Sequence, residues 1–264
     1  MPSRPKIGSP PSQSLRPKRL PGLSVRDGYT QHPFDLEFGV RTSGLIAGRD
    51  LTTGHIHDRH NTAYYGVAPS VFQSLIRRWQ RSKPVAPIEE FTFVDLGAGM
   101  GRAMLLASKF PFREVVGVEL HPALVRTAKK NLTVWRAGGR GLAPLRIQME
   151  DAAQFIFPPN PTLVFLFNPF GATVLRRVMS GVATQFATRP NQLDLIYVNC
   201  EQESVLATNP GLKRIFMGSI ARSRADAIAD HTILANQRDG EYASSNHEDC
   251  SIHRWIGKLA RFRP

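Results

Sequence analysis

The sequence predicts an α/β fold: a doubly wound, mostly parallel sheet with helices on both faces. Three observations carry this expectation. Strand-like apolar runs alternate with helical stretches between residues 91 and 198. One of them, Thr162-Leu-Val-Phe-Leu-Phe167, is apolar throughout, as a strand covered on both faces must be. A glycine-rich turn, Gly97-Ala-Gly-Met-Gly101, directly follows the first run and precedes a helical stretch. That order builds a ligand crevice at the carboxyl edge of a Rossmann-like sheet.

The elements follow in chain order. Residues 1–25 hold five basic side chains among Pro and Ser with no acid, and read as a disordered basic tail. Residues 26–90 form an N-terminal extension, in which Asp35 to Gly44 reads as a loop from its Gly, Thr and Ser content. Val71, Phe72, Leu75, Ile76 and Trp79 share one helical face, so a helix is predicted over 69–81, closed by Pro84 and Pro87. The main domain then spans 91–264. Its strands are expected near 91–96, 114–119, 145–149, 162–167 and 193–198, with helices near 101–109, 122–135 and 171–187. Pro122 suits the first turn of its helix because proline lacks an amide hydrogen. Three later pieces, 213–217, 231–235 and 251–256, read as shorter strands that supply an antiparallel edge.

The bulk numbers narrow the function classes. With 264 residues and 42% hydrophobic content the chain fits one α/β domain with extensions. No apolar run approaches the roughly 20 residues of a membrane span, and no apolar stretch follows the basic N-terminus as in a secretory signal. Only Cys200 and Cys250 occur, which fits a reducing cytoplasm better than a disulfide scaffold. The net charge of +13 favours nucleic acid or an acidic protein as partner.

The glycine turn separates two kinds of ligand. A dinucleotide fingerprint is G-x-G-x-x-G, whereas Gly97, Gly99 and Gly101 give G-x-G-x-G with Asp95 just ahead. A carboxylate there would repel a phosphate but suits an ammonium group. Glu119 ends the second strand, where an acid accepts hydrogen bonds from a ribose diol. Val94-Asp-Leu-Gly-Ala-Gly-Met-Gly101 together with Glu119 resembles the class I S-adenosylmethionine-dependent methyltransferases. The resemblance covers about 91–200. A group of bacterial methyltransferases is similar over Asp95 to Glu119 and carries an upstream Phe-Asp…Gly-Val…Thr-Ser-Gly element like Phe34 to Gly44. The first motif also looks like that of the non-SET histone-lysine methyltransferases.

The resemblance implies S-adenosylmethionine as cofactor, held by Asp95, Gly97, Ala98, Gly99, Gly101, Arg102, Glu119, Leu120, Asp151, Ala152 and Asn168. In it Asp151 accepts the adenine amine, or caps a helix, and Ala152 packs the ring. Arg102 meets the ligand carboxylate or is solvated. Asn168-Pro169-Phe170 looks like the Asn-Pro-Pro-aromatic motif of enzymes that methylate planar nitrogens, but with one proline instead of two. Asn168, Pro169, Phe170 and Tyr65 are the expected catalytic set, with Tyr64, Tyr65 and the histidines near them as candidate bases. His55-x-His57-x-x-His60 matches no zinc pattern with partner cysteines and reads as a polar loop, so no metal is expected. The expected activity is methyl transfer to a nitrogen of a protein side chain or nucleobase. A small-molecule acceptor, a nicotinamide enzyme and a nucleic-acid-binding protein with a vestigial fold are the alternatives.

Overall fold

The computed structural model describes residues 31–235 and 245–257. The basic tail expected over 1–25, and Lys258, Arg261 and Arg263, lie outside the described residues.

Seven strands form one sheet: β1 Thr92–Leu96, β2 Glu114–Glu119, β3 Leu145–Met149, β4 Thr162–Phe167, β5 Leu193–Val198, β6 Leu212–Ala221 and β7 His247–Trp255. Their order is β3-β2-β1-β4-β5-β7-β6. The first five are parallel; β7 runs antiparallel to both β5 and β6, which places the antiparallel pairing at one edge of a mostly parallel sheet. The helices are α1 Pro33–Phe38, α2 Pro69–Arg81, α3 Arg102–Ala107, α4 Pro122–Ala137, α5 Ala172–Gln185, α6 Glu203–Ala207 and α7 Arg224–Ala235. None of the described helices is long and apolar enough to cross a membrane. Cys200 and Cys250 are free thiols.

Strand alternation sorts the core into two layers. Phe93, Leu163, Phe165, Ile196 and Val198 face the cluster that contains α2, α3 and α4. Their neighbours Val94, Val164, Leu166, Leu195 and Tyr197 face the cluster that contains α5 and α6. Successive side chains of a strand point to opposite faces, so a sheet covered on both sides must be apolar at every position. The N-terminal extension belongs to the first layer: Phe72 of α2 packs on Phe93 and Phe165, with ring centroids 5.8 and 5.3 Å apart. Trp79 donates its indole N–H to buried Asp194 at 2.7 Å, and Arg254 of β7 clamps the same carboxylate. Helix α2 and strand β7 thereby meet on one acid of β5.

Two expectations are corrected. Residues 231–235 are not a strand but the end of α7, whose buried positions Asp226, Ala229, Asp230 and Ile233 follow a helical spacing. Residues 35–38 are not loop but α1, capped by His32 at its start and closed by Gly39 in the left-handed region.

Candidate ligand-binding site

The sheet order reverses between β1 and β4, and a ligand crevice opens outside the carboxyl ends of strands at such a point. The glycine turn sits there. Gly97, Gly99 and Gly101 all have positive φ, at 78°, 55° and 89°. Two of them are also sterically required. A Cβ on Gly97 would lie 2.3 Å from the Pro169 Cβ, and one on Gly99 would lie 2.2 Å from the Tyr64 ring. Gly97→Ala is therefore expected to cost about 1–3 kcal/mol of stability and to push the Asn168–Pro169 turn outward. Chemical denaturation of the variant measures the first effect, and a cost near zero would contradict the close approach.

Main-chain bonds hold the turn against β2: the N–H groups of Gly97 and Ala98 donate to the Val118 carbonyl at 2.9 and 3.0 Å. Glu119 completes the clamp. Its Oε2 accepts from the Gly99 N–H and its Oε1 from the His121 N–H, both at 2.8 Å. The acid expected to meet a ribose thus also shapes the turn.

Asp95 is the electrostatic anomaly. It is only 3% exposed, and no hydrogen bond or ion pair with another described residue satisfies its carboxylate. Burial, and then the nearby charge of Glu119, push its pKa up to about 8. Burial also raises Glu119, while the amides of His121 and Gly99 pull it back. Both acids line one cavity of about 90 Å³, together with Ala98, Leu120, Asp151 and Ala152.

A strap from the N-terminal extension, residues 46–65, closes over this edge. Tyr64 pairs with Ile46 and donates its hydroxyl to the Thr42 carbonyl at 2.7 Å. Thr62 donates its hydroxyl to the Asn168 carbonyl and its N–H, at 3.4 Å, to the Pro169 carbonyl. Gly171 returns a bond to the His60 carbonyl at 2.9 Å, and Asn61 bridges Phe170. Asn168 itself has φ of 40°, and its Oδ1 accepts from the Tyr197 hydroxyl at 3.1 Å. Every acceptor expected to receive a target amine therefore already has a donor.

Beyond the strap lies a second cavity of about 590 Å³, lined by Asn168, Tyr65, Glu201, Asp230 and Glu248 among others. The two cavities share Asn61, Thr62, Ala63, Tyr65 and Phe167 as a common wall. Tyr65 donates to Asp230 at 2.6 Å. Burial and the Asp230 charge push its phenol upward, the wrong direction for a base at neutral pH.

Asp151 caps a short 3-10 turn through Oδ1, which accepts from the Ala153 N–H at 3.0 Å, while Oδ2 faces His57. Arg102 is not solvated: it lines the first cavity from a buried position. It is 3% exposed, and its guanidinium donates to Thr42 Oγ1 at 2.7 Å, Ser43 Oγ at 2.9 Å and the Gly66 carbonyl at 3.1 Å. Thr42 and Ser43 in turn donate to Asp35. Sequence reasoning assigned no role to Thr62, His57 or the Asp35–Thr42–Ser43 group. The sequence signal for that group was the Phe-Asp…Gly-Val…Thr-Ser-Gly element of Phe34 to Gly44, which by itself also fits a solvated loop.

The fold and the site together define a Rossmann-like α/β protein with a glycine-turn crevice at its switch point. No family model matches the chain, and no curated protein matches it. Solved structures that resemble it are methyltransferases. A methyltransferase from Geobacter sulfurreducens in complex with S-adenosyl-L-homocysteine is 13% identical, with 72% of this chain and 92% of that chain covered and a TM-score of 0.44. Magnesium protoporphyrin IX methyltransferase from Synechocystis, with bound cofactor, is 12% identical over 70% of this chain and 77% of that one, with a TM-score of 0.44. The ribosomal protein L11 methylase of Lactobacillus delbrueckii is 14% identical over 70% and 78%, with a TM-score of 0.42. Similarity at this distance says nothing about this chain's acceptor.

Proposed function

We propose that the chain is a class I S-adenosylmethionine-dependent methyltransferase. The observation that carries this reading is Asp95, a buried carboxylate without a partner among the described residues, facing the same cavity as Glu119 beside a G-x-G-x-G turn. A buried charge needs an opposite charge. The cofactor's ammonium group supplies one, and its ribose diol suits the carboxylate of Glu119. Asp151 then takes the adenine amine, and Ala152 and Leu120 pack the ring. Gly97, Ala98, Gly99 and Gly101 give the backbone the close approach that the amino-acid tail requires.

The cofactor brings an electrophilic methyl group, so the protein's task is placement of acceptor, methyl and sulfur in line. Asn168, Pro169 and Phe170 stand where the two cavities meet, which fits an acceptor entering from the larger one. The cofactor cavity, about 90 Å³, is smaller than the roughly 300–1,000 Å³ of ordinary ligand pockets. Entry therefore requires the strap to lift, which breaks the Thr62 bonds to Asn168 and Pro169 and frees both carbonyls to accept a target amine. The acceptor in this reading is a nitrogen of a protein side chain or nucleobase, and the enzyme works in the cytoplasm. The 26–90 segment acts as its cap and 91–264 as its cofactor domain.

Calorimetry with S-adenosylhomocysteine tests the cofactor, and one site per chain is expected. Incubating the enzyme and methyl-labelled cofactor with cell extract, with and without RNase, tests the acceptor. Label in macromolecules is expected; label confined to small molecules would exclude the nitrogen of a protein or nucleobase. No binding of either cofactor form would sink the whole assignment.

A further inference from the structure

We propose that His55, His57 and Asp151 form a site for a zinc-type divalent cation on the outer side of the strap. One candidate ligand atom from each of the three lies within 4.8 Å of the other two. The closest pair, His57 Nδ1 and Asp151 Oδ2, is 3.0 Å apart, and His55 Nε2 is 4.0 Å from the same oxygen. Both atoms of the close pair are buried, and neither has a hydrogen-bond partner. They face each other at contact distance without hydrogen-bond geometry, an arrangement that a shared ligand resolves.

The spacing suits an ion. Two ligand atoms each about 2.0–2.1 Å from a tetrahedral zinc lie roughly 3.3 Å apart. The observed separations bracket that value. His57 and Asp151 have side chains only 7% and 8% exposed, so their positions are set by packing. His55 is 32% exposed, and its Nδ1 accepts from the His57 N–H at 3.2 Å, which leaves Nε2 for an ion. Three protein ligands leave the fourth position open to the groove that also holds Arg177.

Arg177 of α5 is the competing cation. Its Nη1 lies 2.6 Å from His57 Nε2. A guanidinium only donates, so Nε2 accepts and the ring proton sits on Nδ1. An ion at Nδ1 moves that proton to Nε2, where it would oppose the N–H groups of Arg177. The ion and this arginine contact therefore exclude each other, and Arg177, being exposed, swings into solvent. An ion held this way ties the strap to the end of β3 through two histidines in place of one arginine contact. The site shares Asp151 with the proposed adenine contact, but His55 and His57 take no part in that reading, so metal binding to the cofactor-free chain tests the site separately.

The test titrates the full chain with Co²⁺, followed by its visible absorption, and then displaces it with Zn²⁺. One saturable equivalent is expected. His55→Ala and Asp151→Asn should each weaken it by more than about tenfold, while circular dichroism confirms that the variants are folded. Arg177→Gln should tighten it several-fold. A wild-type chain with no saturable band overturns the proposal. So does an affinity unchanged in both ligand variants, which would place the ion elsewhere, for example at Cys200. Weaker binding by Arg177→Gln would overturn the exclusion.

Discussion

Asp95→Asn should make the ligand-free protein more stable at alkaline pH while lowering affinity for S-adenosylhomocysteine by about a hundredfold or more. The two effects share one cause. The folded-state pKa of Asp95 is raised to about 8 from 3.8, by burial first and by Glu119 second. A raised folded pKa means the folded state binds more protons than the unfolded one between those values. The contribution of Asp95 to stability is therefore fully present below about pH 4 and is lost as pH rises through about 8. The asparagine carries no charge to desolvate, so its advantage grows across that window and levels off above it. The ligand ammonium favours the ionised carboxylate. Binding below pH 8 must then release a proton, and affinity should rise about tenfold per pH unit up to that point. Calorimetry in buffers of different ionisation enthalpy reads the proton directly. A variant that is less stable at pH 9 and binds normally would show that Asp95 is an internal structural acid.

The sheet was legible in the sequence for a physical reason. β1, β4 and β5 are covered on both faces, so their residues are nearly all apolar and no period needs to be resolved. α7 was misread because two of its inward positions are acids. Asp226 is buried against the Ser70 N–H and His32, and Asp230 against Arg222 and Tyr65. A buried, paired acid looks in sequence like a solvent position, so only the apolar end of the helix stood out, and it read as a strand.

The site shows the same divide. The glycines, Asp95 and Glu119 stood out because their spacing is local, and the backbone demands the glycines. The strap was not. Thr62 and Asn168 lie 106 residues apart, and a threonine donating to a carbonyl has no sequence signature. Asn168 illustrates the consequence: its motif suggested amine recognition, yet its main-chain carbonyl and Oδ1 are engaged by Thr62 and Tyr197. Whether the motif reads an amine depends on a strap that local sequence does not reveal.

Arg102 draws the sharpest line between a residue that binds ligand and one that builds the site. Arg102→Ala should lower the unfolding free energy by about 3–5 kcal/mol, the range for removing one partner of a buried charge network. The guanidinium bridges α3, which starts at the glycine turn, to Thr42, Ser43 and the Gly66 carbonyl of the N-terminal extension. Asp35, 1% exposed, gathers the other side of the network by accepting from the main-chain N–H groups of Thr42 and Ser43 at 2.6 and 2.8 Å and from both hydroxyls. Arg102 Nη2 is 3.9 Å from Asp35 Oδ1, so the two charges attract mainly through the hydroxyls between them. Asp35→Ala should therefore be at least as damaging, because it strands two buried N–H donors as well as the arginine. Coupling energy from the Asp35–Arg102 double-mutant cycle separates that shared network from independent losses. Ligand affinity decides the role. At a temperature where Arg102→Ala is still folded, its affinity for S-adenosylhomocysteine should stay within a few-fold of wild type. A tenfold or greater loss there, without the loss of stability, would return Arg102 to the ligand's carboxylate.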